Sequence, residues 1–233
     1  MVDGLMPATV QRIAREDAIP FLLAKHYARR IPSISFAFGL FRDGVLRGVC
    51  TYGTPPSHTL LKGVGGERWK TNVLEMNRLS CENTTNTASF LVGRSLRALP
   101  KPTYVVSYAD TGAGHVGYVY QATNFLYTGL SSAWIDPAVE GFEGQHHATF
   151  AHGKTNDEMR AEFGDKVSFV QRSRKHRYIF LCGDRRQRAE LLVDLRYKIL
   201  PFPKGPTHKH ETKCADVQGF LFSGSHDIEG GSQ

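Results

Sequence analysis

Asp110, Arg78 and the His26-Tyr27 pair are the residues whose types and settings best suit chemistry in this chain. Asp110 directly follows the β-favouring run TYVVSY at 103–108, where a carboxylate faces a cleft and can activate an amine, bind a metal or orient a neighbour. The other role open to it is the N-cap of a following helix. Arg78 lies in VLEMNRLSC at 73–81, among apolar neighbours that predict burial, so its guanidinium needs an anion: Asp110 or a phosphate. His26 and Tyr27 offer an imidazole and a phenol as acid/base groups or, with Asp110, as metal ligands; a capping histidine beside a packed tyrosine fits the same positions. Tyr118 and Tyr120 could supply aromatic faces or a hydrogen bond to a leaving group, although their spacing equally suits a core. Ser89 and Asn124 are further candidates that local hydrogen bonding would also explain. His208, His210 and Cys214 lie close together near the end of the chain, but with no fourth ligand among Gly and Ser they read as a solvated tail rather than a zinc site.

The elements that must position these groups follow from periodicity. Residues 16–30 carry apolar side chains at helical spacing and end before Pro32. The runs 34–41 and 45–52, joined by Arg42-Asp43-Gly44, predict a β-hairpin. A Gly-rich loop at 63–66 leads to a central strand at 73–81, then a helix at 87–99 stopped by Pro100, and a buried strand at 103–108. A second helix is expected from about Gly114-His115, a strand from Phe125, a loose insertion at 131–163, a strand at 177–182 and a helix at 185–195. This order predicts an α/β fold, a mixed central sheet with helices on both faces, and sites at the strand ends after Leu79 and Tyr108. Residues 1–165 would form the catalytic core, 166–206 a basic strand and helix segment completing the fold, and 207–233 a flexible tail.

Composition is that of an ordinary globular chain, with 41% hydrophobic, 11% aromatic and 22% charged residues over 233 positions. The four cysteines, Cys50, Cys81, Cys182 and Cys214, are widely spaced without a CxxC pair and read as free thiols, three of them in strands. No apolar run is long enough to cross a bilayer and the first residues lack a signal-peptide core, so no membrane contact and a cytoplasmic location are expected. The formal net charge of +7 is concentrated: residues 166–213 hold 13 Lys and Arg against 4 Asp and Glu. Interleaved with Tyr178, Phe180 and Tyr197, that basicity suits a polyanion such as DNA or RNA; a solvated basic face is the plainer reading.

The ordered set KHYARR (25–30), LEMNRL (74–79), SFLVGRSL (89–96), SYAD (107–110), GYVYQATNF (117–125), SRKHRY (173–178) and LPFPKG (200–205) resembles the Mom family of phage DNA-modification proteins. The resemblance implies a GNAT-like, acetyltransferase-type fold with a basic C-terminal extension. It implies addition of an acetamido (carbamoylmethyl) group to the N6 amine of adenine in DNA, protecting that DNA from restriction endonucleases. Acetyl-CoA or a related donor is inherited from the fold, and iron is a further cofactor the resemblance brings in. The loop Glu82-Asn83-Thr84-Thr85-Asn86-Thr87 departs from the Gly-rich pyrophosphate loop such a donor ordinarily uses.

On this reading the partner is double-stranded or locally opened DNA, and the adenine must leave the stack to react. Tyr27, Tyr118 and Tyr120 are candidates for its aromatic face, and Arg172, Arg174, Lys175, His176, Arg177, Arg185, Arg186 and Arg188 for the phosphates. A homodimer is left open. Two alternatives stand beside it: an acyltransferase acting on a protein, small amine or aminoacyl-RNA, and a non-catalytic DNA-binding protein of the same fold.

Overall fold

The computed structural model describes residues 8–25, 31–142 and 148–205. Strand β1 (Thr9–Ile13) leads into helix α1 (Arg15–Lys25), then strands β2 (Phe36–Arg42) and β3 (Val45–Gly53) and helix α2 (His58–Gly65). Strand β4 (Val73–Cys81), helix α3 (Thr87–Arg97) and strand β5 (Thr103–Asp110) form a crossover unit, followed by helix α4 (Tyr118–Ala122) and strand β6 (Leu126–Leu130). Next come strand β7 (Trp134–Val139), helices α5 (Ala148–Ala151) and α6 (Asn156–Phe163), strands β8 (Val167–Arg172) and β9 (Lys175–Cys182), and helix α7 (Arg185–Asp194).

Seven strands make one sheet in the order β1-β2-β3-β4-β5-β9-β6, and β7 pairs with β8 separately. Within the large sheet β4 and β5 run parallel and the other pairs antiparallel, so the expected mixed α/β architecture is the observed one. The Asp-Gly turn of the hairpin forms as the sequence requires. Asp43 and Gly44 both adopt positive φ, 53° and 73°, the two-residue geometry that matches strand twist.

Strand alternation divides the sheet into two unlike faces. On one, Leu91, Val92 and Leu96 of α3 pack on Phe38, Leu40, Cys50, Tyr52, Met76 and Val105, continuing into Tyr120, Phe125, Tyr127 and Tyr178. On the other, the cover comes in two pieces. Helix α1 places Ala18, Phe21 and Leu22 over Ala37, Leu46 and Val49. Further along, Leu60 and Val64 of α2 and Leu191 of α7 cover Val73, Tyr104, Val106 and Ile179.

Several expectations are corrected. Residues 63–66 are not simply a loop: α2 runs through Gly63 to Gly65, because Ser57 caps its start and Leu60 and Val64 bury one side. Gly65 lies against Tyr104, where a Cβ would stand 2.5 Å from the ring. Strand β1, unforeseen, is an edge strand with mostly exposed side chains and so has no apolar alternation to betray it. Residues 111–113 form a 3-10 turn, and α4 begins only at Tyr118 because Gly117 takes φ 79°. The stretch expected as a loose insertion builds a second small core, in which Val139, Phe150, Ala151 and Met159 are buried beneath the β7–β8 sheet. Strand β9 lies inside the large sheet between β5 and β6, so the basic segment is integral to it as far as residue 182. Residues 206–233, including His208, His210 and Cys214, are outside the described residues. None of the described helices is long and apolar enough to cross a membrane.

Candidate active site

The parallel strands β4 and β5 pair only from Val73↔Tyr104 to Glu75↔Val106. Beyond that point β4 continues against β3, and β5 against β9. The Ser107 hydroxyl donates to the Met76 carbonyl at 2.9 Å, marking the apex of a wedge that opens toward the C-terminal ends of both strands. At its mouth stand the 82–86 loop with the start of α3 on one side and Asp110 on the other. Open α/β sheets bind ligands at such a divergence.

Glu75 is the last β4 residue paired with β5, on the face away from Met76, and belongs to neither apolar patch there. Arg78 would ordinarily point to the opposite face. A bulge intervenes: Tyr52 pairs with Met76 but Thr51 with Arg78, leaving Asn77 as the extra residue, its side chain held by the Thr51 hydroxyl at 2.7 Å. The bulge returns Arg78 to the side of Glu75, a re-aiming that bulges often perform beside active sites. Burial raises the Glu75 carboxyl above its ordinary range, opposed by the charges of Lys175 and Arg78. Tyr108, on the same face of β5, is pushed well up by burial and then by the Glu75 charge, with Arg177 opposing, so it stays a proton donor at neutral pH. The polar face of the wedge thus holds a perturbed carboxylate, two cations and a phenol.

Asp110 lies at the rim with its carboxylate already engaged. Oδ1 accepts from the Gly112 amide at 2.9 Å and the Ser173 hydroxyl at 2.6 Å, and Lys175 Nζ lies 3.9 Å from Oδ2. It caps the 3-10 turn and ties β5 to the segment entering β9. Arg78 donates to the Asn77 carbonyl at 2.7 Å, and Glu75 is the carboxylate that feels its charge. His26 and Tyr27 lie outside the described residues.

The remaining candidates spread over the molecule. Tyr120 is buried on the apolar face, 5.1 Å from Tyr178 and 5.4 Å from Phe125 between ring centres. Tyr118 is exposed and donates to the Gly205 carbonyl at 2.9 Å. Ser89 donates back to the Asn86 carbonyl at 3.0 Å, and Asn124 takes φ 62° in the turn after α4. Among the basic residues, Arg172 pairs with Asp136, and Arg174 donates to the Ser131 carbonyl at 2.7 Å. Arg177 holds Thr128 through Nε and lies 3.6 Å over the Tyr197 ring. His176 shares a 2.9 Å hydrogen bond with Tyr127, and burial lowers its pKa, which keeps it neutral at physiological pH. Arg185, Arg186 and Arg188 line α7, where Arg186 pairs with Glu190 and Arg188 approaches Phe180.

Residues 7–204 match the Mom protein family. The chain belongs to that family. It is 30% identical over 210 residues to the methylcarbamoylase Mom of Escherichia phage Mu, covering 86% of each chain. Membership of the Mom family makes a group transferase the coarse assignment. Similar solved structures include an N-acetyltransferase from Staphylococcus aureus Mu50, at 12% identity and TM-score 0.44 over 76% of this chain and 99% of that one. An acetyltransferase from Bacillus subtilis in complex with CoA matches at 12% identity and TM-score 0.43, over 75% and 99%. For iron, the other cofactor raised by the Mom resemblance, no group of three or more His, Cys, Asp or Glu among the described residues could hold a metal ion.

Proposed function

We propose that the chain transfers an acetamido-type (carbamoylmethyl) group to the N6 amine of adenine in DNA, as part of a phage-type defence against restriction endonucleases. The observation that carries this reading is the wedge with the Glu75, Arg78, Tyr108 and Lys175 group on one face, in a chain of the Mom family. The adenine amine is a weak nucleophile because its lone pair is delocalised into the ring, so forming a C–N bond requires that its proton be taken up. Glu75 is suited to take it: burial makes its carboxylate a stronger base, while Arg78 and Lys175 keep it ionised. Tyr108 can donate a hydrogen bond to a ring nitrogen or to the oxygen of the arriving group.

The wedge fits a slender donor arm, because the strand edges Asn77–Cys81 and Ser107–Asp110 diverge and can be bridged by an extended chain. A coenzyme A-type donor carrying the carbamoylmethyl group through its CH2 carbon would lie in the wedge beyond the Met76–Ser107 apex; the bond from that carbon to the carrier would break as the bond to N6 forms, the carrier leaving with the electron pair and the N6 proton passing to Glu75. Its phosphates would meet the 82–86 loop at the start of α3, where Asn86 in the left-handed conformation makes no side-chain cap. Three amides of that segment are already used, Glu82 toward Arg47, Thr84 toward Glu82 and Thr87 toward Thr84, so the phosphate grip is weaker than a Gly-rich loop would give.

The test is nucleoside mass spectrometry of plasmid DNA from cells expressing the chain. An adenine nucleoside of increased mass, absent with Glu75→Gln, is the expected result. Unmodified adenine from cells holding folded wild-type protein overturns the reading and returns the choice to acyl transfer on another amine. An adduct that persists in Glu75→Gln removes Glu75 from the chemistry.

A further inference from the structure

The small sheet carries a feature that the group-transfer chemistry does not use. Trp134, the first residue of β7, is 65% exposed, and Val170, on β8, is 54% exposed. Alternation places Trp134, Asp136 and Ala138 on one face with their partners Arg172, Val170 and Ser168. The opposite face carries Val139 and Val167 toward the small core, and Phe169 beneath Arg160. Trp134 and Val170 therefore form an outward apolar strip with the paired Arg172 and Asp136 beside it.

This strip is anchored at the mouth of the wedge. The Ser131 amide donates to the Lys175 carbonyl at 2.8 Å, the Lys175 amide to Ser131 Oγ at 3.0 Å, and Arg174 Nε to the Ser131 carbonyl at 2.7 Å. Arg172, the cross-strand partner of Trp134, immediately precedes Ser173, which donates to Asp110. Trp134 itself follows Ser131 by three residues, at most about 10 Å of extended chain. Arg172, Arg174 and Lys175 give this junction the charge of a phosphate-binding surface, with Asp136 pairing Arg172.

We infer that Trp134 is a stacking residue for the DNA strand: its indole packs against a base beside the displaced adenine and holds the opened strand at the wedge. The inference rests on the proposed DNA substrate and deepens it. An exposed indole flanked by guanidinium groups supplies the sequence-tolerant stacking by which single strands are held, and an aromatic wedge lowers the cost of keeping a duplex open.

Fluorescence reads this directly. Of the two tryptophans, Trp69 is buried with its indole N–H donated to Asp194 at 2.6 Å, so quenching by nucleic acid reports on Trp134. An adenine-containing single-stranded oligonucleotide is expected to quench the emission of the full chain. Trp134→Ala should weaken its binding on the order of tenfold, with the salt dependence unchanged because phosphate contacts are untouched. Trp134→Phe should restore most of the binding, and thermal melting should show both variants folded. Trp134→Ala should lose more activity on duplex DNA than on DNA with an unpaired target adenine. Unquenched emission with unaltered affinity overturns the inference even where modified adenine is found. So does a change of oligomeric state in Trp134→Ala by sedimentation, which would make the strip a contact between copies. Quenching without any adenine adduct would instead sink the proposed reaction and leave the stacking role standing.

Discussion

The two faces of the large sheet at the β4–β5 wedge are built from different chemistry. One is an aromatic stack in which Tyr120, Phe125, Tyr127 and Tyr178 fill the space beyond α3, the tyrosine hydroxyls satisfied inside the protein. The other interrupts its apolar cover between α1 and the α2–α7 pair and places Glu75, Arg78, Tyr108 and Lys175 there. Burying the Glu75 carboxylate costs stability that Arg78 and Lys175 offset only in part, whereas a packed tyrosine stabilises. Residue type alone does not tell the packed tyrosines of one face from the buried ionisable cluster of the other; the face does.

The largest difference between the two faces is expected at Glu75. Glu75→Gln should reduce adenine modification by about 10²- to 10⁴-fold, read by nucleoside mass spectrometry, with circular dichroism unchanged. Full activity would move the chemistry off the polar face. Tyr120→Ala should cost about 3–5 kcal/mol in urea unfolding, as expected for an aromatic ring removed from a core. Tyr120→Phe should keep activity close to wild type; a stable but inactive Tyr120→Phe would make the aromatic face reactive after all.

The two faces also respond differently to pH. Because the folded-state pKa of Glu75 is raised above its unfolded value, the folded protein binds more protons between the two, and this group lowers stability as pH rises through that window. Glu75→Gln should therefore raise the Tm at neutral pH, an advantage that fades as pH falls toward the ordinary carboxylate range. The acid limb of the wild-type rate profile should likewise lie above that range. The smallest effect is expected at His176: neutral and bonded to Tyr127, it should leave both DNA affinity and its salt dependence unchanged on His176→Asn, measured by titration at two salt concentrations.

Much of the large sheet was legible because its buried strands and amphipathic helices announce themselves by period, and Asp43-Gly44 fixes a hairpin by backbone chemistry alone. Strand β1 and the β7–β8 sheet were not, since exposed edge strands lack a strict apolar alternation. The candidate site was legible only in part. Arg78 and Asp110 were singled out, and both line the wedge region. Glu75 was passed over because a lone glutamate in a strand looks like a solvated residue, and its sharing a face with Arg78 depends on a bulge at Asn77 that no spacing rule announces. Tyr118 and Tyr120 drew attention by type, yet one is at the surface and the other in the core. Lys175 and Arg177 read as surface cations within a basic run, but alternation along β9 turns both toward the polar face, with His176 on the other.

The position of β9 bears on when the enzyme can work. The strand that completes the sheet beside β5, and brings the charge of Lys175 to Glu75, follows every other strand of that sheet in the chain. At about 5–20 residues per second, β5 emerges several seconds before β9, and its edge waits unpaired meanwhile. A ribosome-bound or prematurely terminated chain lacking β9 has neither a finished wedge nor its cation. Assembly of the wedge, and with it any chemistry there, is thereby tied to synthesis of the chain as far as Cys182.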